Sequence, residues 1–500
     1  MSPAGRFDVA IVGYGPVGAL LACLLGKQGL SVAVLERESG ILQSPRAIHF
    51  DGESMRIFQA AGVAGAMGAV TRGTTKGMHF VNAAGRTLMV RRGMVGIGPH
   101  GWHNDYYFHQ PDLEQVLRQA AESHSGVCAM LETEAVALGD RGDHAQIEIR
   151  SAGGRTALLE ARYVVGCDGA RSLVRRSIAS GSEDLGLHQP WLVIDLVLKR
   201  ELDLPDHTVQ HCNPERPMTQ CYVTGRRRRW EIMLMPGDDP DAMVRPETAW
   251  ALLRRWISPP DAEMERAAVY TFHSVISSSW RRGRLLIAGD SAHQSPPFLG
   301  QGMCAGVRDC ANLAWKLARV LRGKASESLL DTYETERKPH VRAFIELAVR
   351  IGSVIQATDP RIAAERDRRI EQGTPELFDF PQPQLGSGVR ADGPPPAGIV
   401  FPQPRLAEGR LLDESIGERF AVPGSRDVLS AVNREATAAW KTIDVMAIAD
   451  PGPGVDDWLR ERGAEAVLLR PDRYVFGIAP DAAALSLLTD ELVRRASLVI

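Results

Sequence analysis

An α/β protein is expected, with a parallel nucleotide-binding sheet interrupted by a mainly antiparallel sheet and followed by a smaller α/β unit. Three observations predict it. A strand, glycine loop, helix and strand open the chain; two later strands end in Asp-Gly and Gly-Asp turns; between those turns lies a run of short, partly alternating strands.

Five hundred residues with 44% apolar content can bury a core large enough for two or three domains. The 58 basic and 61 acidic residues leave a formal charge of −3, which gives no electrostatic case for nucleic acid or an anionic membrane, so a small-molecule partner is expected. The seven cysteines form no CxxC pair and no metal-ligand cluster, which fits a reducing cytoplasm and no structural metal. The apolar run Val9 to Leu25 is broken by Gly13, Gly15, Pro16 and Gly18 and leads into a second strand, so it reads as folded protein rather than a signal peptide. No stretch reaches the roughly 18 apolar residues a spanning helix needs.

In order along the chain, Phe7 to Val12 is an apolar strand, and Gly13-Tyr-Gly15-Pro16-Val17-Gly18 leads to a helix over Ala19 to Gln28. A strand over Ser31 to Leu35 ends at Glu36-Arg37. The glycines suit a tight turn, close approach to a pyrophosphate and helix–strand packing, and an acid about 20 residues on suits a ribose hydroxyl. Gly96-Ile-Gly98-Pro-His-Gly101 also matches GxGxxG but lacks a strand before it and a helix after it, so it reads as a loop. The segment from Ser44 runs as a loop into an amphipathic helix with Met55, Phe58 and Val63 apolar; Arg46 in that loop could meet a phosphate or a ring system, or be a solvated arginine.

Strands are expected at Gly77 to Val81 and Thr87 to Val90. A helix then opens at Gln110-Pro111, with Asp112 and Glu114 suited to its dipole. A meander over Val136 to Ile149 and Thr156 to Ala161 precedes a buried strand, Tyr163 to Asp168, closed by Gly169-Ala-Arg171-Ser172-Leu-Val-Arg175. An acid there lies where open α/β sheets bind ligands.

From about Pro190 to His273 the strands Trp191 to Leu198, Met218 to Val223, Trp230 to Met235 and Val269 to His273 suggest an antiparallel sheet serving as a lid or substrate domain. Arg226 to Arg229, between two of them, reads as a solvated turn. A strand over Arg284 to Ala288 returns to the parallel sheet. It meets Gly289-Asp290, then Pro296-Pro297, then Gly300-Gln301-Gly302-Met303 and a helix over Gly306 to Arg322, with a second helix from about Leu329 to Ile355. Strand, loop and helix start in that order present N–H groups and a positive dipole end to an anion. Residues 376–404 are rich in proline and glycine and read as a linker, and the last hundred or so residues alternate short strands (Ala466 to Leu469, Tyr474 to Gly477) with helices such as Ala482 to Ser497.

The motifs GYGPVG with Glu36, CDGARSLVR and Gly289-Asp290 with the Pro-Pro loop, in that order, resemble the single-component flavin-dependent aromatic hydroxylases (group A FAD monooxygenases). PRAIHFDGESMRIFQAAGV, FHQPDLEQVLRQ, WLVIDLVL, GRRRRWEIML and PPFLGQGMCAGVRDCANLAWKL narrow the resemblance to the 3-(3-hydroxyphenyl)propionate hydroxylase branch over residues 7 to about 350. The C-terminal part, with LRPDRYV, is similar to the thioredoxin-like domain of larger members but lacks CxxC, which leaves a redox role unsupported.

The resemblance implies a Rossmann-like FAD-binding fold of the p-hydroxybenzoate hydroxylase kind. It would comprise FAD-binding segments 1–75, 109–185 and 279–375, substrate-domain segments 76–108 and 186–278, the linker 376–404, and a thioredoxin-like domain 405–500. It implies that Gly13, Gly15, Pro16, Val17 and Gly18 hold the FAD pyrophosphate and that Glu36, with Arg37 beside it, holds the adenosine ribose. Arg46 and Gln110 would meet further polar groups of the cofactor, Asp290 with Gly289 the ribityl chain, and Asp168 both FAD and the nicotinamide donor. Pro297 would stiffen the loop beside the flavin, and Gly300, Gln301, Gly302 and Met303 would face its N1 edge. The implied reaction is hydroxylation of a phenolic aromatic through a C4a-hydroperoxyflavin, with NADH or NADPH and O2 as co-substrates. A tailoring oxygenase performing epoxidation or Baeyer–Villiger insertion, and a non-catalytic flavin-binding module, are the alternatives. His293, His273, His109, His103 and Tyr107 are candidates by residue type for the base that deprotonates the phenol, and Pro297 for a further role at the reacting atoms; none is singled out. A cytoplasmic protein, a homodimer among its candidate assemblies, completes the expectation.

Overall fold

The computed structural model describes residues 6–43, 45–91, 96–373, 382–406 and 408–499. Ser44 and the first six residues of the predicted linker, 376–381, lie outside the described residues.

Phe7–Val12 pairs in parallel with Val32–Leu35 on one side and Thr156–Gly166 on the other, Val9 standing between Val32 and Tyr163. Val127–Met130 extends this sheet at one edge, and Leu285–Ile287 and Arg281–Arg282 at the other. Its central strands carry the continuous Val, Ile and Ala runs of strands buried on both faces. The fingerprint helix, Pro16–Lys27, begins three residues earlier than expected, because Pro16 pre-sets the backbone for the first helical position. The helix after the Pro-Pro loop likewise starts at Gly302 rather than Gly306 and runs to Leu321.

The meander strand and the strand before Asp168 are one element, Thr156–Gly166. It pairs antiparallel with Ala145–Ser151 along its first half and parallel with Phe7–Val12 along its second. A short strand, His49–Asp51, precedes the helix Gly52–Ala60, and Val63 falls beyond that helix.

The interposed sheet has eight strands, two of them long, Ser182–Leu198 and Ala262–Ser277, where shorter strands were expected. Thr208–Cys212 is a further strand, although TVQHC carries no apolar alternation, and pairs in parallel with Met78–Asn82. One face, with Leu192, Ile194, Leu196, Trp230 and Ile232, packs under Met243, Ala249 and Leu253 of two short helices. The other face, with Phe80, Trp191 and Met233, meets Phe298, Leu299 and the helix Asp331–Ile355.

Arg226 to Arg229 is corrected by the structure. Arg227–Met233 is a strand, and Arg229 is 1% exposed. With Trp230 and Ile232 on the face that packs under the two short helices, strand alternation turns Arg229 to the opposite face.

The C-terminal sheet has the order Val445–Ala449, Phe420–Gly424, Ala466–Leu469, Val475–Ala479, with the first pair parallel and the others antiparallel. Within the segment read as a linker, residues 382–404 do not form a loose spacer. Leu385, Val389 and Phe401 are buried, and the N–H groups of Ala391, Gly398 and Phe401 donate to the carbonyls of Phe476, Val475 and Arg473. The domain is therefore strapped to the body of the protein.

The strap closes over a buried ionic cluster. Glu336 Oε2 accepts from Lys316 Nζ at 2.7 Å, Arg470 Nη2 at 2.9 Å and Asn312 Nδ2 at 2.8 Å, and its Oε1 accepts from Val389 N–H. Burial pushes the Lys316 ammonium down to about 8, against the pull of Glu336. Burial also opposes ionisation of Glu336, but the charges of Arg470 and Lys316 outweigh it and hold the carboxyl at about 2.

Glu336→Gln leaves two cations buried with too little countercharge. It should cost about 3–5 kcal/mol in urea unfolding, and a loss below about 1 kcal/mol would show that the cluster contributes little. Because the folded carboxyl titrates below its ordinary value of 4.5, its contribution is complete above that pH and is lost as the pH falls toward 2, so the Glu336→Gln difference should shrink across that window.

Candidate functional site

The four loops that follow the carboxyl ends of the parallel strands converge, and each is held by groups that leave one side open. At the first, Gly13 has φ of +99°, and a Cβ there would lie 2.5 Å from the Cys167 carbonyl oxygen; a Cβ on Gly18 would lie 2.0 Å from the Gly13 oxygen. Neither position accepts a side chain. A Cβ on Gly15, in contrast, meets no atom within 4 Å. The loop is thus compressed against the sheet and open outward, the cradle a pyrophosphate requires.

After the second strand, Glu36 stands half-buried, its carboxylate accepting from the N–H of Tyr14 at 2.9 Å and of Glu38 at 3.0 Å. Its remaining acceptor capacity fits a ribose. Arg37 is exposed, pairs with Glu38 at 3.1 Å, and borders a surface hollow of about 330 Å³.

Arg46 and Asp290 face each other at 3.9 Å across the convergence, with side chains 65% and 46% exposed. Neither side chain has a hydrogen bond to protein among the described residues, so a cation and an anion stand ready for a ligand. Gln110 sets the Arg46 loop, its Oε1 accepting from the N–H of Arg46 at 2.8 Å and of Ala47 at 3.0 Å. The same loop is gripped from the interposed sheet. Arg229 donates to the carbonyls of Arg46 and Pro45 at 2.8 and 2.7 Å, Arg266 donates to Pro45 at 2.8 Å, and Asp195 between them binds both guanidinium groups.

Asp168 is committed within the fold. One oxygen accepts from the N–H of Leu173 at 2.6 Å and the other from the Ser291 hydroxyl at 3.0 Å, which in turn accepts from Gly169 N–H. Asp168 therefore ties the Asp-Gly turn to the Gly-Asp turn.

Pro296 is buried, Pro297 half-buried, and Gly300 takes φ of +65°, where a Cβ would meet the His49 ring at 2.6 Å. The N–H groups of Gly302, Met303 and Cys304 precede the first intrahelical bond, from Ala305 to Gln301. Gly302 faces open space. Gln301 is buried, its Oε1 accepting from Arg308 at 3.1 Å.

His293 is buried beside Trp280 with its Nε2 2.7 Å from Asp309. Tyr107 is buried, its hydroxyl bonded to the Thr208 hydroxyl and backbone N–H, both at 2.9 Å, and burial raises its pKa. His109 is buried and His103 half-buried, its Nδ1 3.1 Å from the Gly96 carbonyl; His273 packs on His188, at 2.6 Å between Nδ1 atoms.

Sequence reading missed three features. His49 pairs with Asp105 at 2.8 Å and packs between Gly300 and Tyr107. Arg229 and Arg266 meet Asp195, a pairing that is legible only once the strand register is known. Arg308 bridges Asp51, Glu53 and Gln301 from within a helix. Among the described residues there is no cluster of three or more metal-ligating side chains and no helix long and apolar enough to cross a membrane.

The arrangement fits FAD: an outward-facing glycine turn that would take phosphates, carboxylates of Glu36 and Asp290 with acceptor capacity left for sugar hydroxyls, the Arg46 cation with no hydrogen bond to protein among the described residues, and open N–H groups at the start of a 20-residue helix. Comparisons with known proteins agree. The family described as FAD binding domain matches residues 6–348, and that described as HcaD C-terminal domain matches residues 441–494. A probable NADH-specific resorcinol 4-hydroxylase of Rhodococcus jostii is 38% identical, over 98% of this chain and 96% of its own length. A 3-(3-hydroxy-phenyl)propionate/3-hydroxycinnamic acid hydroxylase of Burkholderia cenocepacia is 34% identical, over 96% and 95%. Among solved structures, aklavinone-11 hydroxylase with FAD and aklavinone matches with a TM-score of 0.83 at 24% identity, each chain covered to 99%. The flavin-dependent monooxygenase PieE with FAD and substrate matches at 0.86 and 21%, covering 99% of this chain and 100% of its own.

Arg229→Lys keeps the charge but loses the fork that holds two carbonyls. FAD titration of the apoprotein should show binding weakened about tenfold, in line with one or two lost charge-assisted bonds, with the circular dichroism of the fold retained. Unchanged affinity would mean that the Arg46 loop holds its position without the interposed sheet.

Proposed function

The chain belongs to the FAD-binding-domain family of flavin-dependent aromatic hydroxylases, and from that membership and the geometry above we propose that it hydroxylates a small phenolic substrate with NADH as electron donor. It is an FAD-dependent monooxygenase. The observation that carries the residue assignments is the unspent pair Arg46 and Asp290, poised between the open glycine turn and the open helix start.

In this reading Gly13, Gly15 and Gly18 receive the pyrophosphate, Glu36 a ribose hydroxyl, and Asp290 the ribityl hydroxyls. Arg46 balances the phosphate charge. Bound FAD supplies acceptance of two electrons from the nicotinamide and activation of O2. The chain's own contribution is position and exclusion of water. The N–H groups of Gly302 and Met303, at the positive end of their helix, would favour negative charge on a flavin held beside them. Phe80, Trp191, Phe298 and Leu299 close the inner face of the interposed sheet against the Pro297 loop. Polar groups on that face, among them Gln210 paired with Thr219 at 2.6 Å and the buried Glu231, offer hydrogen bonds to a phenol. Tyr107 and His293 serve in this reading through position, since protein groups already occupy the Tyr107 hydroxyl and the His293 Nε2.

The first relative's name specifies NADH and resorcinol, and the second's a hydroxyphenylpropionate, so a one-ring phenol is favoured over a polycyclic substrate. A panel of resorcinols and phenolic acids should therefore stimulate NADH oxidation with a hydroxylated product. If no phenol accelerates NADH consumption and no product gains an oxygen atom, the proposal fails. Asp290→Ala should weaken FAD retention about tenfold through the loss of a charged hydrogen bond. Pro297→Ala should keep FAD but release more peroxide per NADH consumed. The reverse pattern would contradict the roles given to these residues.

A further inference from the structure

Tyr474 lies in the C-terminal domain, yet its hydroxyl is committed inside the flavin fold, donating to Glu53 Oε1 at 3.0 Å. Glu53 Oε2 accepts from Arg308 Nε at 2.6 Å, Arg308 donates to Asp51 at 2.5 Å, and its Nη1 reaches Gln301 Oε1 at 3.1 Å. One arm thus ends at Gln301, the residue that caps the start of the cofactor-facing helix.

A second arm leaves the same hydroxyl. His340 Nε2 lies 3.4 Å from Tyr474 Oη, and His340 Nδ1 accepts from Arg337 Nη1 at 2.9 Å. Burial and the neighbouring Arg337 hold His340 neutral, so its single proton sits on Nε2 and points at Tyr474. Arg337 Nε donates to Asp309 Oδ1 at 3.0 Å, and Asp309 Oδ2 accepts the N–H of Gly289 at 3.1 Å. This arm ends one residue before Asp290. Arg473, beside Tyr474, pairs with Asp413 at 3.1 Å, and Asp413 receives the Arg56 fork at 2.7 and 2.8 Å, which fixes where Tyr474 can reach. Every side chain in the two arms is buried except Asp51, which is partly exposed, so each hydrogen bond is costly to leave unmade.

We propose that the C-terminal domain holds the two cofactor-facing loops in place through Tyr474, a positioning residue acting on Gly289 through Asp309 and on Gln301 through Arg308. This gives a domain without CxxC a function in tuning the flavin. The inference rests on the FAD reading. Wild-type protein that binds no FAD would remove that reading, whereas normal wild-type binding with an indifferent Tyr474 would remove the inference alone.

Tyr474→Phe keeps the ring against His340 and removes only the hydroxyl. FAD titration and the flavin reduction potential are measured on the full chain. The dissociation constant should rise about three- to tenfold. Reduced flavin should be weakened more than oxidised, because the helix start favours the charged form; each tenfold excess lowers the potential by about 30 mV. Thr489→Val breaks a buried bond from Trp440 (3.0 Å) in the same domain, away from both arms, and should leave the potential unchanged. Glu53→Gln, at the far end of the Tyr474 bond, is read in the same way and serves if Tyr474→Phe does not fold. A wild-type potential and affinity in the folded variant, or an equal shift from Thr489→Val, would overturn the proposal.

Discussion

The carboxylate of Asp309 is fully buried, and the N–H of Gly289 is fastened to it. A buried anion is tolerated only where charge and hydrogen bonds replace the lost water, here from His293 and Arg337, which hold the Asp309 carboxyl below its usual range against the cost of burial. Through that one group the helix Gly302–Leu321, the turn Gly289–Ser291 and the helix Asp331–Ile355 cannot move independently. Close approach depends on the same fixation. A Cβ on Gly306 would lie 2.6 Å from Val17 Cγ2 and 3.2 Å from Gly289 Cα, so the helix carrying Asp309 seats directly on the turn and on the fingerprint helix. Ser291 then reaches Asp168, and all four loops share one frame.

Function follows from the groups that this frame leaves without a hydrogen bond to protein among the described residues. Protein groups occupy Asp168, His293, Arg308 and Arg229, whereas Arg46, Asp290 and the first N–H groups of the helix keep free capacity on the open side. The division between bracing and presenting residues is the physical content of the site. The interposed sheet takes part in both, gripping the Arg46 loop with one pair of arginines and presenting its inner face to the loop at Phe298.

The glycine turns, the Asp-Gly and Gly-Asp motifs and the helix start were legible in the chain because each is a local backbone requirement that few residue types meet. The family, the fold and the FAD reading came from those positions. Strand lengths were less legible: Ser182–Leu198 and Ala262–Ser277 stabilise each other by pairing along most of their length, which no local propensity shows. Arg229 was misread for a related reason, since a run of four arginines looks solvated until the strand alternation and the Asp195 opposite are known. Tyr474, Arg308 and His340 carried no signal, because their distant partners lie between 134 and 421 residues away and their near ones one or two helix turns along a helix whose facing the sequence leaves open for polar side chains. Residues 382–404 looked like a spacer by composition, and their proline and glycine content instead accommodates a strap that exchanges backbone hydrogen bonds with the C-terminal sheet.

With FAD held in the frame around Asp309, this fold transfers one oxygen atom from O2 to a phenolic ring. Turnover of an accepted phenol with NADH under oxygen-18 gas, followed by mass spectrometry of the product, tests it most directly. One labelled atom in the new hydroxyl is expected. A product whose new oxygen comes from water, or substrate-dependent NADH oxidation that yields only peroxide, would contradict it.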